Sequence, residues 1–278
     1  MNFGGNEVVY NYHESRIVIL PVPYDETSTW LKGADRGPQA ILEASVNLEF
    51  YDIETRSEVH KHGIYTMEPL TEKRSPEALV NSVFEKVSSL LNEGKFPVII
   101  GGNHTVSIGA ANAAAAFFPS LTVLQFDAHA DLRDSYEGSP YNHACVMARI
   151  REKSHTVQMG IRSISAEEIH NADWNSIFPA HQLWYDKNLY KVALDLLKEN
   201  VYITIDLDVF DPSLIPSTGT PEPGGPPYYD IMHFIREVAK NRNIVGFDVV
   251  ELCPSPHNKA PDFVAAKIIY QTLSYIFS

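Results

Sequence analysis

Three short clusters of ionisable residues stand out in this 278-residue chain. They are Gly101-Gly102-Asn103-His104, Asp127-Ala128-His129-Ala130-Asp131, and Asp206-Leu207-Asp208 leading into Asp211-Pro212. Together they offer two imidazoles, four carboxylates and no thiolate. Such a hard, anionic set suits manganese or another octahedral divalent ion better than a tetrahedral structural zinc. Four carboxylates around a single divalent ion would leave a buried site net negative, which is costly, whereas a pair of ions balances them. In an extended segment Asp127, His129 and Asp131 project to the same side, as do Asp206 and Asp208. Taken singly the pieces are weaker. A His after Gly-Gly also suits a loop or a helix start, and an Asp after a strand often caps the next helix. The D-x-H-x-D triplet is the specific part, because three ionisable groups at the end of an apolar strand need a partner. The clusters predict a two-metal hydrolytic site built from His104, Asp127, His129, Asp131, Asp206 and Asp208.

The elements that must position these residues follow from the apolar pattern. Continuous apolar runs predict strands at Ile17–Val22, Pro97–Ile100, Leu121–Phe126, Thr156–Gly160, Val201–Ile205 and Ile244–Val250. Runs without alternation belong to strands covered on both faces. Helical patterns lie between them at Gly37–Val46, Ser75–Asn92, Thr105–Phe117, Asn142–Glu152, Lys187–Glu199, Tyr228–Asn241 and Pro261–Ile276. Pro38 and Pro76 suit first helical turns, where a missing N–H does little harm. This order predicts an α/β fold, a parallel sheet with helices on both sides, over a single domain spanning residues 1–278. The Gly/Pro-rich stretch Pro212–Pro227 reads as a long functional loop, since the alternation resumes after it. Each cluster directly follows a predicted strand, where open α/β sheets collect their ligands.

Composition narrows the setting. A net charge of -13 with no basic run argues against a nucleic-acid surface and favours cationic ligands, metals included. Cys145 and Cys253 are too few for a disulfide framework or a cysteine metal site. Met1–Tyr10 lacks the basic start and apolar core of a signal peptide, and no apolar run is long enough to cross a bilayer. A soluble cytoplasmic protein without membrane or nucleic-acid partners is expected.

The three motifs, in this order and spacing, resemble the ureohydrolases, the family of arginase and agmatinase. The likeness extends over Pro23-Tyr24-Asp25 and Arg36-Gly37-Pro38, then the metal motifs, then Thr218-Gly219-Thr220-Pro221-Glu222-Pro223-Gly224-Gly225, and ends on Gly246-Phe247-Asp248-Val249-Val250-Glu251. The resemblance implies a three-layer αβα sandwich, arginase/deacetylase-like, with a mainly parallel sheet of about eight strands. It implies two manganese ions per chain: one on His104, Asp127, Asp131 and Asp206, the other on Asp127, His129, Asp206 and Asp208, with Asp127 and Asp206 bridging. Water activated between the ions would attack a guanidinium carbon, giving urea and an amine. Glu251 takes the place of the family glutamate that pairs with the guanidinium, and His143 that of a histidine shuttling protons to the leaving amine. The family habit implies a homo-oligomer, a trimer or hexamer. Asn103 departs from the pattern, standing where an aspartate usually precedes the motif histidine. That change is expected to alter metal affinity or ligand orientation.

Beyond the guanidinium, the segment Leu132-Arg133-Asp134-Ser135-Tyr136-Glu137-Gly138-Ser139-Pro140-Tyr141-Asn142-His143 resembles prokaryotic agmatinases more than arginases. Asp134 and Glu137 would suit the cationic tail of agmatine, while Arg133 would oppose it. The expected reaction is agmatine to putrescine and urea. Alternatives are arginine, guanidinobutyrate or aminopropylagmatine as substrate, a one-zinc deacetylase of related fold, and a regulatory paralogue without activity.

Overall fold

A computed structural model describes residues 1–278. Eight strands form one sheet: β1 Ile17–Val22, β2 Ile64–Thr66, β3 Phe96–Gly101, β4 Leu121–Phe126, β5 His155–Ile161, β6 Ile177–Pro179, β7 Asn200–Asp206 and β8 Asn243–Val250. Their order is β2-β1-β3-β8-β7-β4-β5-β6, and every pairing is parallel. The six long strands fall where the apolar runs predict. The sheet that the resemblance implied to be mainly parallel is wholly so.

Eight α-helices cover it: α1 Gly37–Ser45, α2 Pro76–Asn92, α3 Val106–Phe117, α4 Val146–Ile150, α5 Ala180–Tyr185, α6 Asn188–Leu196, α7 Tyr228–Asn241 and α8 Ala260–Phe277. Alternate strand residues feed two cores, which accounts for the continuous apolar runs. Ile17, Ile19, Leu124, Phe126, Ile203 and Ile205 pack with α1, α7 and α8. Leu20, Val22, Ile99 and Val123 pack with α2, α3 and α4 on the opposite face. Three layers result, as expected. The start of α2 shows the local logic: Ser75 accepts from Ala78 N–H and Pro76 opens the first turn.

The departures have local causes. The helix predicted at Asn142–Glu152 shrinks to a single 3-10 turn, His143–Cys145, followed by α4. Met147 and Ala148 N–H both donate to the carbonyl of Asp131, so the first turn of α4 holds the metal-motif loop. α6 stops at Leu196, short of the predicted Glu199. Arg242 there takes the carbonyls of Leu194 and Leu197. β2 and β6, three residues each at the sheet edges, and the six-residue α5 are too short for a periodic signal.

Candidate metal centre

The chain-order crossovers bring β3, β8, β7 and β4 side by side in the middle of the sheet. Their carboxyl ends deliver His104, Glu251, Asp206 with Asp208, and Asp127 with His129 and Asp131. Gly102 makes the close approach possible: a β-carbon there would run into the Tyr24 carbonyl after β1. All six residues predicted from sequence converge. His104 Nδ1 lies 3.1 Å from Asp127 Oδ2, 3.0 Å from Asp131 Oδ2 and 3.5 Å from Asp206 Oδ2. His129 Nδ1 lies 2.9 Å from Asp208 Oδ2 and 3.6 Å from Asp127 Oδ1. Two groups of possible ligand atoms emerge, His104 with Asp127 and Asp206, and His129 with Asp127 and Asp208, sharing Asp127.

The convergence is achieved differently from the extended alternation that spacing suggested. β4 ends at Phe126, and Asp131 takes a left-handed backbone with φ 52°. Asp208 sits in the 3-10 turn Leu207–Val209, where Asp206 Oδ1 accepts its N–H at 2.9 Å. Glu251 is also left-handed, with φ 66°. Non-glycine residues in that region cost about 1–3 kcal/mol each, so two of them at one site mark geometry held against strain.

Charge is the defining property. Burial, with Asp208 and Asp127 beside it, pushes the Asp206 carboxyl well above its ordinary value. Burial and Asp127 lift Asp131 to about 7. His129 is pushed up to about 12: burial opposes its charge, but Asp208 and Asp127 override it. His104 is raised in the same way by Asp127 and Asp131. Asp127 itself is held below its ordinary value, since His104 and His129 outweigh its burial. Without cations, then, this cluster retains protons that water-exposed groups would lose. His104 Nδ1 is buried and makes no aligned hydrogen bond, although carboxylate oxygens surround it. A nitrogen ringed by anionic oxygens without bonding any of them is a donor set for a cation, and the residues fit a pair of divalent ions.

Support comes from behind. His104 Nε2 meets Thr204 Oγ1 at 2.9 Å, and Thr204 donates to Asp248 Oδ1 at 2.6 Å. Ser107 and Tyr202 also donate to Asp248, at 2.9 and 2.8 Å. This chain fixes the ring and turns Nδ1 toward the carboxylates. Asn103 plays no part in it. Its side chain donates to Thr27 Oγ1 at 2.5 Å and accepts from Thr105 N–H at 3.2 Å, tying the loop after β1. No hydrogen bond runs from the Asn103 side chain to a candidate metal ligand; its partners are Thr27, Thr105 and, at 3.5 Å, Ser28.

A cavity of about 290 Å³ opens over the cluster. Glu251 lines it, accepts His104 N–H at 2.7 Å through Oε1, and is raised by burial to about 8. His143 lines it too, edge-on to Tyr136 at 6.0 Å, with Nδ1 buried and unpaired. Burial, reinforced by His104 and His129, lowers His143 to about 4. Asp134 and Glu137, read as partners for a cationic tail, do not line the cavity. Asp134 instead faces Arg149 and His170 outside. Apart from Glu251 and the carboxylates of the cluster, the wall is lined by the carboxylate of Glu168, held by Leu132 and Ser165 N–H at 2.9 and 2.7 Å. Arg133 is there as well, spoken for by Glu167 and the Tyr136 ring.

Sequence reasoning missed Gln125, Thr204 and Asp248. A usable signal existed: each is a polar residue inside an apolar strand, and Gln125 and Thr204 lie two residues before Asp127 and Asp206, on the same face. Glu168 and the exposed Trp30 at the cavity carry no such mark, because their loops have no period.

Comparison with known proteins agrees with the geometry. The arginase family model matches residues 15–274. The N(1)-aminopropylagmatine ureohydrolase of Synechocystis is 36% identical, with 97% of this chain and 92% of that protein covered. The agmatinase of Bacillus anthracis is 35% identical, over 95% and 92%. Among solved structures, the agmatine ureohydrolase of Thermoplasma volcanium superposes with a TM-score of 0.89 at 30% identity, over 99% of this chain and 94% of that one. The chain belongs to the arginase family, the ureohydrolases that its motifs resemble.

Proposed function

We propose that this protein is a binuclear manganese hydrolase that cleaves a guanidino compound to urea and an amine, with agmatine giving putrescine and urea. The observation that carries the reading is the placement of Asp127, whose Oδ2 faces His104 at 3.1 Å while Oδ1 faces His129 at 3.6 Å. A carboxylate with one oxygen toward each imidazole is built to be shared by two cations. His104, Asp127, Asp131 and Asp206 would hold one ion, and Asp127, His129, Asp206 and Asp208 the other. When bound, the metal pair would supply a water nucleophile that loses its proton near neutral pH.

The remaining steps belong to the chain. Glu251 receives the guanidinium: Oε1 is fixed by His104 N–H, and the absence of a side chain on Gly219 leaves room beside Oε2. A bound guanidinium favours the ionised carboxylate, which burial alone disfavours. His143, neutral at physiological pH in its buried position, can accept the proton released by the attacking water and pass it to the departing amine. The acidic wall at Glu168 favours a substrate whose far end is cationic over one ending in a carboxylate. A second reading, N(1)-aminopropylagmatine as substrate, is favoured by the name of the Synechocystis relative.

The test is urea release by the manganese-loaded protein from agmatine, N(1)-aminopropylagmatine and arginine. Either tailed amine is expected to exceed arginine in kcat/KM. Arginine as the best substrate overturns the tail assignment, and no urea from any of them overturns the reaction.

A further inference from the structure

Two carboxamides lie buried behind the cluster, Gln125 on β4 and Gln158 on β5, partners in the parallel register. A buried carboxamide is costly unless its donors and acceptor are met. Here the hydrogen bonds form a chain whose direction is dictated from one end. The carbonyl of Ala130 can only accept, so the Gln158 atom 2.8 Å from it is Nε2. That nitrogen offers its second hydrogen to Gln125 at 2.5 Å, so the facing atom is Oε1. Gln125 then necessarily presents Nε2 to Asp127 Oδ2, at 2.7 Å. Reversed, a carboxamide oxygen would confront a carboxylate oxygen. A main-chain carbonyl inside the D-x-H-x-D segment thus decides which end of Gln125 meets Asp127.

The consequence falls on the shared carboxylate. Oδ2 of Asp127 receives Gln125, and Oδ1 receives His129 N–H at 2.6 Å. One donor on each oxygen fixes the plane of the group and leaves each oxygen a lone pair for a cation. We propose that Gln158 is a positioning residue of the metal centre, acting through Gln125 to hold Asp127 as a bridge between two cations instead of a chelate on one. The proposal rests on the binuclear reading above. Loss of Gln158 also leaves the buried Ala130 carbonyl without its donor, a stability cost that any structural role would share, so metal affinity, not stability alone, is the diagnostic readout.

Manganese titration by calorimetry, below the unfolding range of every variant, tests it. Gln158→Met is expected to weaken at least one of the two ions about 10–100-fold. Gln125→Met should do the same, and the two penalties should be less than additive in the double variant, because part of the Gln158 effect passes through Gln125 and the rest through the Ala130 carbonyl. Affinities within about twofold of the parent for Gln158→Met overturn the proposal, and so does a double variant whose penalties add. If Gln158→Met does not fold, the parent protein labelled with 15N at its glutamines gives the answer with zinc as a diamagnetic probe. The side-chain amides of Gln125 and Gln158 should both shift, while Gln39, Gln182 and Gln271 stay still. A response confined to one carboxamide overturns the relay. A parent that takes up no manganese overturns the binuclear reading itself, whereas a parent that binds two ions and is indifferent to Gln158→Met overturns only the relay.

Discussion

The sheet carries a cavity at each end, and the two differ in what their charged groups are bonded to. At the amino end a space of about 630 Å³ is lined by Arg16, Lys95, Phe96, Arg242 and Phe277. Its cations are engaged: Lys95 donates to the carbonyls of Tyr12 and Ser15 at 2.7 Å, and Arg242 to those of Leu194 and Leu197 at 2.9 Å. Arg16 lies over the Phe277 ring at 4.7 Å. These groups close loops around the ends of helices. At the carboxyl end the cavity is smaller, about 290 Å³, yet the carboxylates gathered there outnumber the imidazoles that pair with them. Size therefore does not designate the site in this protein. Charge left for an outside partner does.

Four expectations follow from that contrast. The largest is for Asp127→Ala, which removes the carboxylate common to both ligand groups: metal content should fall to one ion or none, and urea release by at least about a thousandfold. Two ions retained, counted by elemental analysis, would remove the shared-ligand assignment. Next is Glu251→Gln, which should keep both ions and lower kcat/KM about a hundredfold, the worth of a charged hydrogen bond of about 3 kcal/mol. A loss of metal instead would place Glu251 in the cluster and not opposite the substrate.

The third concerns pH. In the metal-free protein Asp131 is held at about 7, Glu251 at about 8 and His129 at about 12. All three are raised above their unfolded values, so the folded state binds more protons than the unfolded one. The stability they contribute is present at lower pH and is lost as pH rises through those values. Tm of the metal-free protein should drop by a few degrees between about pH 7 and pH 9. Saturating manganese should flatten the slope, since cations replace the protons. A metal-free Tm that rises over the same interval contradicts the charge assignment. The smallest effect belongs to the other end. Arg242→Ala leaves the Leu197 carbonyl without a donor and that of Leu194 with the Leu197 N–H alone, and should cost about 1–3 kcal/mol in denaturant unfolding, with metal content and kcat/KM unchanged.

The amino-acid sequence reveals much of this directly, and physics explains the division. Long strands such as Leu121–Phe126 are covered on both faces, so their apolar runs are unbroken and readable. Candidate ligands such as Asp127 and Asp206 sit directly after those runs, where charge contrasts sharply with its neighbours. Elements set by tertiary partners are not readable in this way. α4 is shortened by its bonds to the Asp131 carbonyl, a contact no periodicity encodes. The same holds for the cavity wall. Asp134 and Glu168 are both acidic loop residues, and the backbone N–H groups of Leu132 and Ser165 that hold Glu168 inward separate them. Asn103 is instructive in the other direction. Its unusual identity at a motif position suggested a disturbed metal site, yet its hydrogen bonds run to Thr27 and Thr105, and the imidazole of His104 is steadied by Thr204 and Asp248.

Electron paramagnetic resonance of the protein loaded with manganese to saturation reads the sharing of Asp127 between two ions. Two ions sharing Asp127 must be magnetically coupled, so the saturated parent protein should give an exchange-coupled spectrum, replaced in Asp127→Ala by that of a single uncoupled ion or of unbound manganese. The spectrum of isolated ions in the saturated parent protein would contradict the sharing.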